Sequence, residues 1–235
     1  MNKILADMHT HTIASGHAYA TLTEMCKEAA NKGLEIYGIT EHSSGIPGTC
    51  ADIYFQNLRV IPRDLFGLDL RLGAEINIID YNGTLDLGQE YIDRLDFVIA
   101  GIHSVCYKFG SKEENTAAII NAIKNPNVNI ISHPDDGRCP LDYEALVQAA
   151  KEYHVLLEIN NNALRDKNRK NVKENQKLII ENCKKYNHPF IMGSDAHFTT
   201  DIANYDCGPL VESMNVDNEL IMNYYPDRLR EFLRK

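Results

Sequence analysis

The sequence predicts an α/β fold in which seven buried parallel strands alternate with amphipathic helices, as in a (β/α) barrel. Three observations support this prediction. The chain of 235 residues has a length that suits one α/β barrel, and its hydrophobic fraction of 44% is enough for one sizeable core. Short apolar runs also recur along the chain with helical patterns between them. A doubly wound open sheet is the alternative arrangement of the same elements.

The predicted strands are nearly continuous apolar runs, which are typical of strands buried on both faces of a parallel sheet. They span residues 3–9, 35–42, 70–76, 95–103, 128–133, 155–160 and 190–197. Neither a linker nor a repeated segment interrupts this series. We therefore expect a single domain over residues 1–235.

Helix signals lie between the strands. Segment 21–33 begins with Thr21, carries Glu24 three residues later as in a capping box, and ends at Gly33. Further helices are predicted over 113–124, 141–153 and 171–187, with a final one beginning at Pro226. Segment 78–87 is different, because Asn82-Gly83 within it predicts a two-residue hairpin turn.

Composition excludes several classes of protein. The chain has no long apolar run and no export signal, so we expect a cytoplasmic protein without a membrane partner. The six cysteines are scattered, which favours free thiols over a disulfide framework. A formal net charge of −9 disfavours a nucleic-acid-binding surface, so no nucleic-acid partner is expected. A homo-oligomer is compatible with the sequence.

Most of the nine histidines lie where predicted strands end. His9, His42, His103, His133 and His197 end strands or follow them directly, and His11 and His17 come next after the first strand. Glu75 and Asp195 end the third and seventh strands. Catalytic residues of barrels gather at that end of the strands. Imidazole and carboxylate groups are ligands of Zn²⁺, Fe and Mn²⁺, so the pattern predicts a metal site.

The remaining histidines serve as an internal comparison. His154 and His188 come just before strands, at the opposite end of the predicted barrel, and we assign them no function. Asp7 precedes the pair formed by His9 and His11, and we expect it to orient a histidine instead of binding metal.

These motifs resemble those of the PHP (polymerase and histidinol phosphatase) superfamily. "DMHTHT", "ITEH", "GAEI", "AGIH", "ISHP" and "GSDAH" occur in the family order. "HTIASGHAYATL", "EINNN" and "YYPDRLREFL" resemble the YcdX-type branch of stand-alone phosphoesterases. The resemblance implies a single-domain, distorted (β/α)7 TIM-like barrel whose mouth holds three divalent transition-metal ions, Zn foremost, with Fe or Mn as alternatives.

The resemblance also implies a ligand set. The first ion would be held by His9, His11, Glu75 and Asp195, the second by Glu75, His103 and His133, and the third by His17, His42 and His197. Glu75 would bridge the first two ions, and Glu75, Asp195 and His197 are the predicted catalytic residues. Glu41 stands where the family commonly has Asp, which leaves the orientation of His42 open.

Closely spaced cations suit the hydrolysis of phosphate esters. The pKa of a water bound to such a cation falls from about 15.7 to about 7, so the water supplies hydroxide. The cations also neutralise the negative charge that grows on phosphoryl oxygens in the transition state. The predicted function is a metal-dependent phosphomonoesterase for a small phosphorylated metabolite. Arg138 and Arg165 follow the fifth and sixth strands and are the predicted phosphate contacts. Glu158 and Asn160 either support metal ligands or satisfy buried backbone.

Three other functions remain open. An amidohydrolase-type barrel also uses His-x-His after its first strand, although no metal-bridging lysine is evident here. A PHP-type nuclease is disfavoured by the acidic net charge. A non-catalytic metal store would lack an open coordination position.

Overall fold

The computed structural model describes residues 2–233, in which seven parallel strands form a nearly closed barrel. Met1, Arg234 and Lys235, the ends of the predicted domain, lie outside the described residues. The strands are β1 Ala6–Asp7, β2 Ile36–His42, β3 Asp64–Leu65, β4 Leu68–Asn77, β5 Val98–Gly101, β6 Ile130–Ile131, β7 Leu156–Asn160 and β8 Phe190–Gly193. Their order is β1-β2-β4-β5-β6-β7-β8, and the short β3 adds to β4 antiparallel.

Helices follow most strands, as the alternating pattern predicts. They are α1 Leu22–Asn31, α2 Ile53–Asn57, α3 Gln89–Ile92, α4 Lys112–Ile123, α5 Tyr143–Tyr153, α6 Val172–Tyr186, α7 Gly208–Ser213 and α8 Pro226–Leu233. The capping box predicted at the start of α1 is present, with Thr21 and Glu24 exchanging bonds. Only the short α2 and α3 follow β2 and β4, which makes the barrel irregular on that side.

The turn predicted within segment 78–87 is wrong in its loop length. The amide of Ile79 donates to the carbonyl of Thr84 at 2.9 Å, so four residues, not two, form the loop. The carboxylate of Asp80 accepts the amides of Asn82 and Thr84 at 2.9 and 3.0 Å. An aspartate that caps the loop amides stabilises the longer turn, and Gly83 supplies its positive φ of 77°.

The ends of the sheet, β1 and β8, meet through different contacts at the two ends of the barrel. At the mouth, the amide of Asp195 donates to the carbonyl of His9 at 2.9 Å. At the other end, Asn223 joins the strands: its amide group donates to the carbonyls of Ala6 and Met192 and accepts the amide of Met192. The arrangement is therefore a barrel and not the open doubly wound sheet.

Alternate residues of each strand pack on opposite sides of the sheet. One set packs under the surrounding helices. A smaller set of apolar side chains fills the inside of the barrel. It includes Ile36, Ile99 and Leu156 of the strands and Leu229 and Phe232 of α8. These apolar side chains fill the end of the barrel opposite the mouth. Polar residues nearer the carboxyl ends of the strands line the mouth.

Two expectations from composition can be compared with this fold. Within residues 2–233, none of the helices has the length and apolar character needed to cross a bilayer. All six cysteines lie in this range and none forms a disulfide. Burial raises the pKa of the Cys26, Cys139 and Cys207 thiols to about 12, so these side chains pack as small apolar groups.

Candidate metal centre

The carboxylate of Glu75, near the end of β4, lies at the centre of the mouth. Its Oε2 faces His9 Nε2 at 3.3 Å, His11 Nε2 at 3.5 Å and His42 Nδ1 at 2.9 Å, and its Oε1 faces His133 Nε2 at 2.7 Å and His103 Nε2 at 3.4 Å. The five imidazoles come from four strand ends and one loop. One buried carboxylate thus contacts more than half of the histidines in the chain.

The first predicted ligand set has four atoms at nearly equal separations. His9 Nε2 lies 3.1 Å from His11 Nε2. Glu75 Oε2 lies 3.3 and 3.5 Å from these two atoms, and Asp195 Oδ1 lies 3.6 and 3.3 Å from them. A tetrahedral zinc ion with bonds of about 2.0–2.1 Å has ligand atoms about 3.4 Å apart. The four atoms therefore have the spacing of such a site.

The second predicted set lies on the other side of Glu75. Its Oε1 is 2.7 Å from His133 Nε2 and 3.4 Å from His103 Nε2, and the two imidazole nitrogens are 3.1 Å apart. The two oxygens of Glu75 thus face two separate groups of nitrogen atoms. Such a carboxylate has the geometry to bridge two cations.

The third predicted set is looser. The ring centroid of His17 lies 5.0 Å from that of His42 and 4.8 Å from that of His197. The His11 ring is nearer to both, at 4.3 and 4.5 Å, and His11, His42 and His197 can each offer a nitrogen within 4.8 Å of the others. His17 is exposed and lies at the edge of the cluster. The structure therefore puts His11 between the first and third sets.

Unsatisfied atoms show that this cluster suits a cation. Among residues 2–233, Glu75 Oε2 and His42 Nδ1 are buried and form no hydrogen bond, although the two atoms lie 2.9 Å apart. Nearly all buried polar atoms in proteins have one. A divalent ion accepts electron pairs from both atom types, and mixed imidazole and carboxylate sets suit Zn, Fe and Mn. The residues present therefore fit a transition-metal centre.

Protonation states in the cluster also favour metal binding. Burial opposes ionisation of Glu75 and Asp195, but the surrounding imidazoles hold the pKa of both carboxyls well below its usual value. Burial lowers the pKa of His11 and His103. His9 is the exception, because neighbouring carboxylates overcome burial and raise its pKa well above 6.5. Ionised carboxylates and neutral imidazoles are the forms that bind metal.

Glu158, in β7, supports two of the histidines. Its Oε1 accepts from His9 Nδ1 at 2.7 Å, and its Oε2 accepts the amide of His133 at 2.7 Å. Asn160 donates to Glu158 at 3.0 Å and to Asp195 at 3.3 Å. Gly193 makes room for the carboxylate, since a Cβ there would lie 1.7 Å from Glu158 Oε1. Glu158 thus binds both the ring of His9, a predicted metal ligand, and a backbone amide, which combines the two contacts predicted as alternatives.

Asn77 orients His103 and was missed by sequence reasoning. Its Oδ1 accepts from His103 Nδ1 at 2.7 Å, which turns Nε2 toward Glu75. The amide group of Asn77 is held by Asp86 at 2.7 Å and by Ser43 at 2.9 Å. Asn77 follows Glu75 by two residues on the same face of β4, and this spacing is the signal that the sequence offered.

Glu41 is linked to His11 through the hydroxyl of Ser15. Ser15 Oγ donates to Glu41 at 2.6 Å and accepts from His11 Nδ1 at 3.0 Å and from the amide of His42 at 3.2 Å. Glu41 also binds the amide and hydroxyl of Thr12. Glu41 therefore orients the ring of His11, and it contacts His42 only through this backbone link.

The role expected for Asp7 is wrong. Its carboxylate accepts the backbone amides of Ser194 at 3.2 Å and Ala203 at 2.8 Å, not a histidine. Ala6 and Met8 pack inside the barrel, so the intervening Asp7 side chain points outward. Asp7 fastens the segment after β8 to β1.

Two of the predicted ligands have left-handed backbones. His133 has φ of +31° and Asp195 has φ of +52°. Such conformations cost roughly 1–3 kcal/mol in non-glycine residues and persist where the surroundings enforce them. Here Glu158 holds the amide of His133, and the carbonyl of His9 holds the amide of Asp195. The strain aims both side chains into the mouth.

The arginines near the mouth differ in their partners. The guanidinium of Arg138 binds both oxygens of Asp136, and that of Arg165 binds Asp201 and Asp206. These two were predicted to contact phosphate, and in this structure each is held by carboxylates. Arg169, which sequence reasoning missed, has buried Nε and Nη1 atoms without a hydrogen-bond partner among residues 2–233.

Comparisons with known proteins identify similar chains and similar folds. A model of the PHP domain matches residues 7–225. A probable phosphatase of Caldicellulosiruptor saccharolyticus is 48% identical over 231 residues, which cover 97% of this chain and 95% of that protein. A probable phosphatase of Acetivibrio thermocellus is 42% identical over 234 residues, covering 99% and 96% of the two chains.

Two solved structures are similar in fold. The histidinol phosphate phosphatase of Lactococcus lactis, in complex with Zn, L-histidinol and phosphate, has a TM-score of 0.62 and 18% identity, covering 91% of this chain and 95% of that one. A chain of archaeal ribonuclease P with mature tRNA has a TM-score of 0.59 and 16% identity, covering 97% and 89%. At such identities these two similarities establish the fold alone.

Proposed function

This chain belongs to the PHP domain family, and from that premise we propose that it is a metal-dependent phosphatase. We propose further that it hydrolyses the monoester of a small phosphorylated metabolite at a site for three divalent transition ions. Zn is the expected metal, with Fe and Mn as alternatives, and the YcdX-type branch is the expected subgroup. We expect the protein in the cytoplasm, and a homo-oligomer is compatible with this function.

The position of Glu75 is the observation on which the proposal rests. Its two oxygens face two groups of imidazole nitrogens at 2.7–3.5 Å. Bound divalent ions would supply Lewis-acid charge for the phosphoryl oxygens and would acidify a water for attack. Glu75 would be shared by two ions, and Asp195 would be a further ligand of the first.

The His197 side chain suits the entry side of the site. It is 22% exposed, whereas Glu75 and His9 are each 1% exposed. Its Nδ1 donates to the carbonyl of Asp195 at 2.9 Å, which leaves Nε2 as the nitrogen that would bind an ion of the third set. We propose Glu75, Asp195 and His197 as the residues nearest the chemistry. His9, His11, His17, His42, His103 and His133 complete the proposed ligand set.

The phosphate contacts and the substrate are further parts of the proposal. Arg138 and Arg165 remain the contacts predicted from sequence, and substrate binding there requires their carboxylate partners to release them. The Lactococcus lactis structure contains L-histidinol and phosphate. L-Histidinol phosphate therefore belongs in a substrate panel for this chain, beside other small phosphomonoesters.

The test is metal analysis followed by an activity screen. Protein purified without added metal is analysed for bound ions, then loaded with Zn²⁺, Mn²⁺ or Fe²⁺. We expect phosphate release from an aryl phosphate and from at least one metabolite monoester. Amides, lactones and single-stranded DNA in the same panel separate phosphatase activity from amidohydrolase and nuclease activity. Turnover of no phosphate ester with any ion would refute the proposal.

A further inference from the structure

His11 differs from other predicted ligands in the group that holds its outer nitrogen. His9 Nδ1 meets a carboxylate oxygen of Glu158 at 2.7 Å, and His103 Nδ1 meets an amide oxygen at 2.7 Å. Both partners only accept, so each of these rings carries a proton on Nδ1. His11 Nδ1 instead lies 3.0 Å from Ser15 Oγ, and a hydroxyl can either donate or accept. This contact alone leaves the tautomer of His11 undetermined.

The single proton of the Ser15 hydroxyl determines the direction of that contact. Ser15 Oγ lies 2.6 Å from Glu41 Oε2, an acceptor, so the hydroxyl donates its proton there. The backbone amide of His42 donates to the same hydroxyl oxygen at 3.2 Å. Since Ser15 Oγ has no second proton to offer, it accepts from His11 Nδ1. The neutral ring therefore carries its proton on Nδ1, and Nε2 keeps a free electron pair.

Glu41 is held in this accepting role by other donors. Its Oε2 also accepts the backbone amide of Thr12 at 3.1 Å, and its Oε1 accepts the hydroxyl of Thr12 at 2.5 Å. His11 and Ser15 are fully buried, and Glu41 is 1% exposed. Three donors thus converge on one carboxylate in a place that water does not reach, which fixes the direction of each hydrogen bond.

The free nitrogen of His11 faces the first predicted ligand set. Its Nε2 lies 3.1 Å from His9 Nε2, 3.3 Å from Asp195 Oδ1 and 3.5 Å from Glu75 Oε2. Carboxylate oxygens at this distance favour a proton on Nε2, because an N–H there would donate to a charged group. A proton on Nε2 would occupy the electron pair that a cation needs. The contacts on the two sides of the ring therefore favour opposite tautomers.

We propose that Ser15 and Glu41 are positioning residues that keep the proton of His11 on Nδ1 and so keep Nε2 open for a cation of the first set. The carboxylate sets the direction of the hydroxyl, and the hydroxyl sets the tautomer of the ring. This inference rests on the metal-dependent function proposed above and adds to it two residues that lie behind the ligands.

Nitrogen-15 NMR of the metal-free protein measures the tautomer directly, because an imidazole nitrogen without a proton resonates far from one that carries it. The spectrum of His11→Gln assigns the His11 signals. In the wild type we expect the proton on Nδ1. In Ser15→Ala the ring loses its acceptor, so the proton should move to Nε2, toward Glu75 and Asp195, in most molecules.

Two substitutions of Glu41 test the carboxylate. Glu41→Gln should keep the wild-type tautomer, because its side-chain oxygen can still accept from Ser15 and from the amide of Thr12. Glu41→Leu removes the acceptor and frees the hydroxyl to donate to His11 Nδ1, so the proton should move to Nε2. Circular dichroism checks the fold of each variant, and Ser15→Ala decides the proposal if Glu41→Leu does not fold.

Zinc affinity, measured by competition with a coloured chelator, provides a second readout. Ser15→Ala should bind its first zinc ion about 10–100-fold more weakly, as is usual when a residue behind a metal ligand is lost. Glu41→Gln should bind zinc within a few-fold of the wild type. Ser213→Ala is the matched control, since Ser213 is exposed at the end of α7 and donates to the carbonyl of Leu210 at 2.7 Å. It should change neither the tautomer nor the affinity.

Several results would overturn the inference. A proton on His11 Nε2 in the wild type would do so, as would an unchanged tautomer or an unchanged zinc affinity in Ser15→Ala. A loss of affinity with the tautomer unchanged would show that Ser15 only supports the loop. If the wild-type protein hydrolyses no ester, the proposed function fails. The tautomer and the zinc affinity are measured without substrate and still decide the inference in that case.

Discussion

The two ends of the barrel hold their histidines in opposite ways. At the lower end, His188 is buried and its Nε2 donates to the carbonyl of Val155 at 2.9 Å. His154 ends α5 with φ of +60° and stacks on Phe232, with ring centroids 3.8 Å apart. Each of these imidazoles is paired with a group that the fold itself provides.

At the mouth, imidazoles face one another and the carboxylates. His9 and His11 bring their Nε2 atoms to 3.1 Å, as do His103 and His133. The opposite nitrogen of most of these rings is held by the chain, for example by Glu158 or Asn77, while the inner nitrogens converge. The histidines at the lower end therefore have partners within the fold, whereas several predicted ligand histidines at the mouth are bonded through one nitrogen and turn the other toward the cluster.

The largest effect expected at the mouth follows from Glu75→Gln. The substitution keeps the size of the side chain but removes the charge and one acceptor between two groups of imidazoles. Metal per chain and phosphatase activity should fall together, with activity lost by more than about 100-fold, since even residues behind the ligands contribute about 10–100-fold. Elemental analysis and phosphate release measure the two quantities.

A matched control for that prediction lies at the other end. Glu152 is exposed in α5, away from the cluster, and Glu152→Gln should change neither metal content nor activity. If Glu75→Gln retained full metal content and full activity, Glu75 would not be a metal ligand and the proposed difference between the two ends of the barrel would be wrong.

An intermediate effect is expected from Glu158→Gln. The neutral amide cannot accept both from His9 and from the amide of His133, so one of the two supports is lost. Affinity for the first ion should fall about 10–100-fold, measured by competition with a coloured chelator. Folded content by circular dichroism should remain unchanged. A variant that binds metal as tightly as the wild type would show that the hydrogen bond behind His9 is dispensable.

The smallest effect concerns His188, and it involves stability only. Burial lowers the pKa of His188 from 6.5 to about 4, so as pH falls the unfolded chain binds this proton first. The free energy of unfolding should therefore be highest above pH 6.5 and should decrease between pH 6.5 and 4. A pKa difference of this size corresponds to about 3 kcal/mol.

His188→Gln isolates that contribution. The glutamine amide can still donate to Val155 but has no proton to take up, so the decrease between pH 6.5 and 4 should be smaller by up to about 3 kcal/mol. Urea unfolding of metal-free protein at several pH values measures it, and chelation removes the ions as a variable. Parallel pH profiles for the variant and the wild type would contradict the assignment of His188 as a neutral buried group.

Much of the fold was predictable because its signals are local. The apolar runs around β2 and β7 and the capping box of α1 each lie within about a dozen residues. The errors arose where side chains compete with backbone patterns. Asp80 lengthened the turn at Asn82-Gly83, and no helix was predicted where the short α2 and α3 lie.

For the site, the sequence predicted the candidate ligands but not the residues that hold them. Strand-end positions placed the nine candidate ligands at one mouth, and the structure brings them together there, with His17 at the edge. The roles of Asn77 and Ser15 were missed, because each depends on a contact with one particular ring and no motif marks it. The expectation for Asp7 was wrong because β1 ends at this residue: its carboxylate binds the amides of Ser194 and Ala203 outside the barrel, whereas His9 and His11, beyond the strand, face the mouth.

The order of residues along the chain was sufficient for most of the alternating strands and helices and for the chemical types of side chain at the mouth, and it favoured a barrel over an open sheet, since hydrophobic periodicity and strand ends are read over short windows. Three-dimensional packing alone selected which imidazoles meet at Glu75, how Asn223 closes the barrel, and which carboxylates hold Arg138 and Arg165. Those outcomes depend on distances between residues far apart in the chain, and a buried charge is paired or unpaired only once its neighbours are in place.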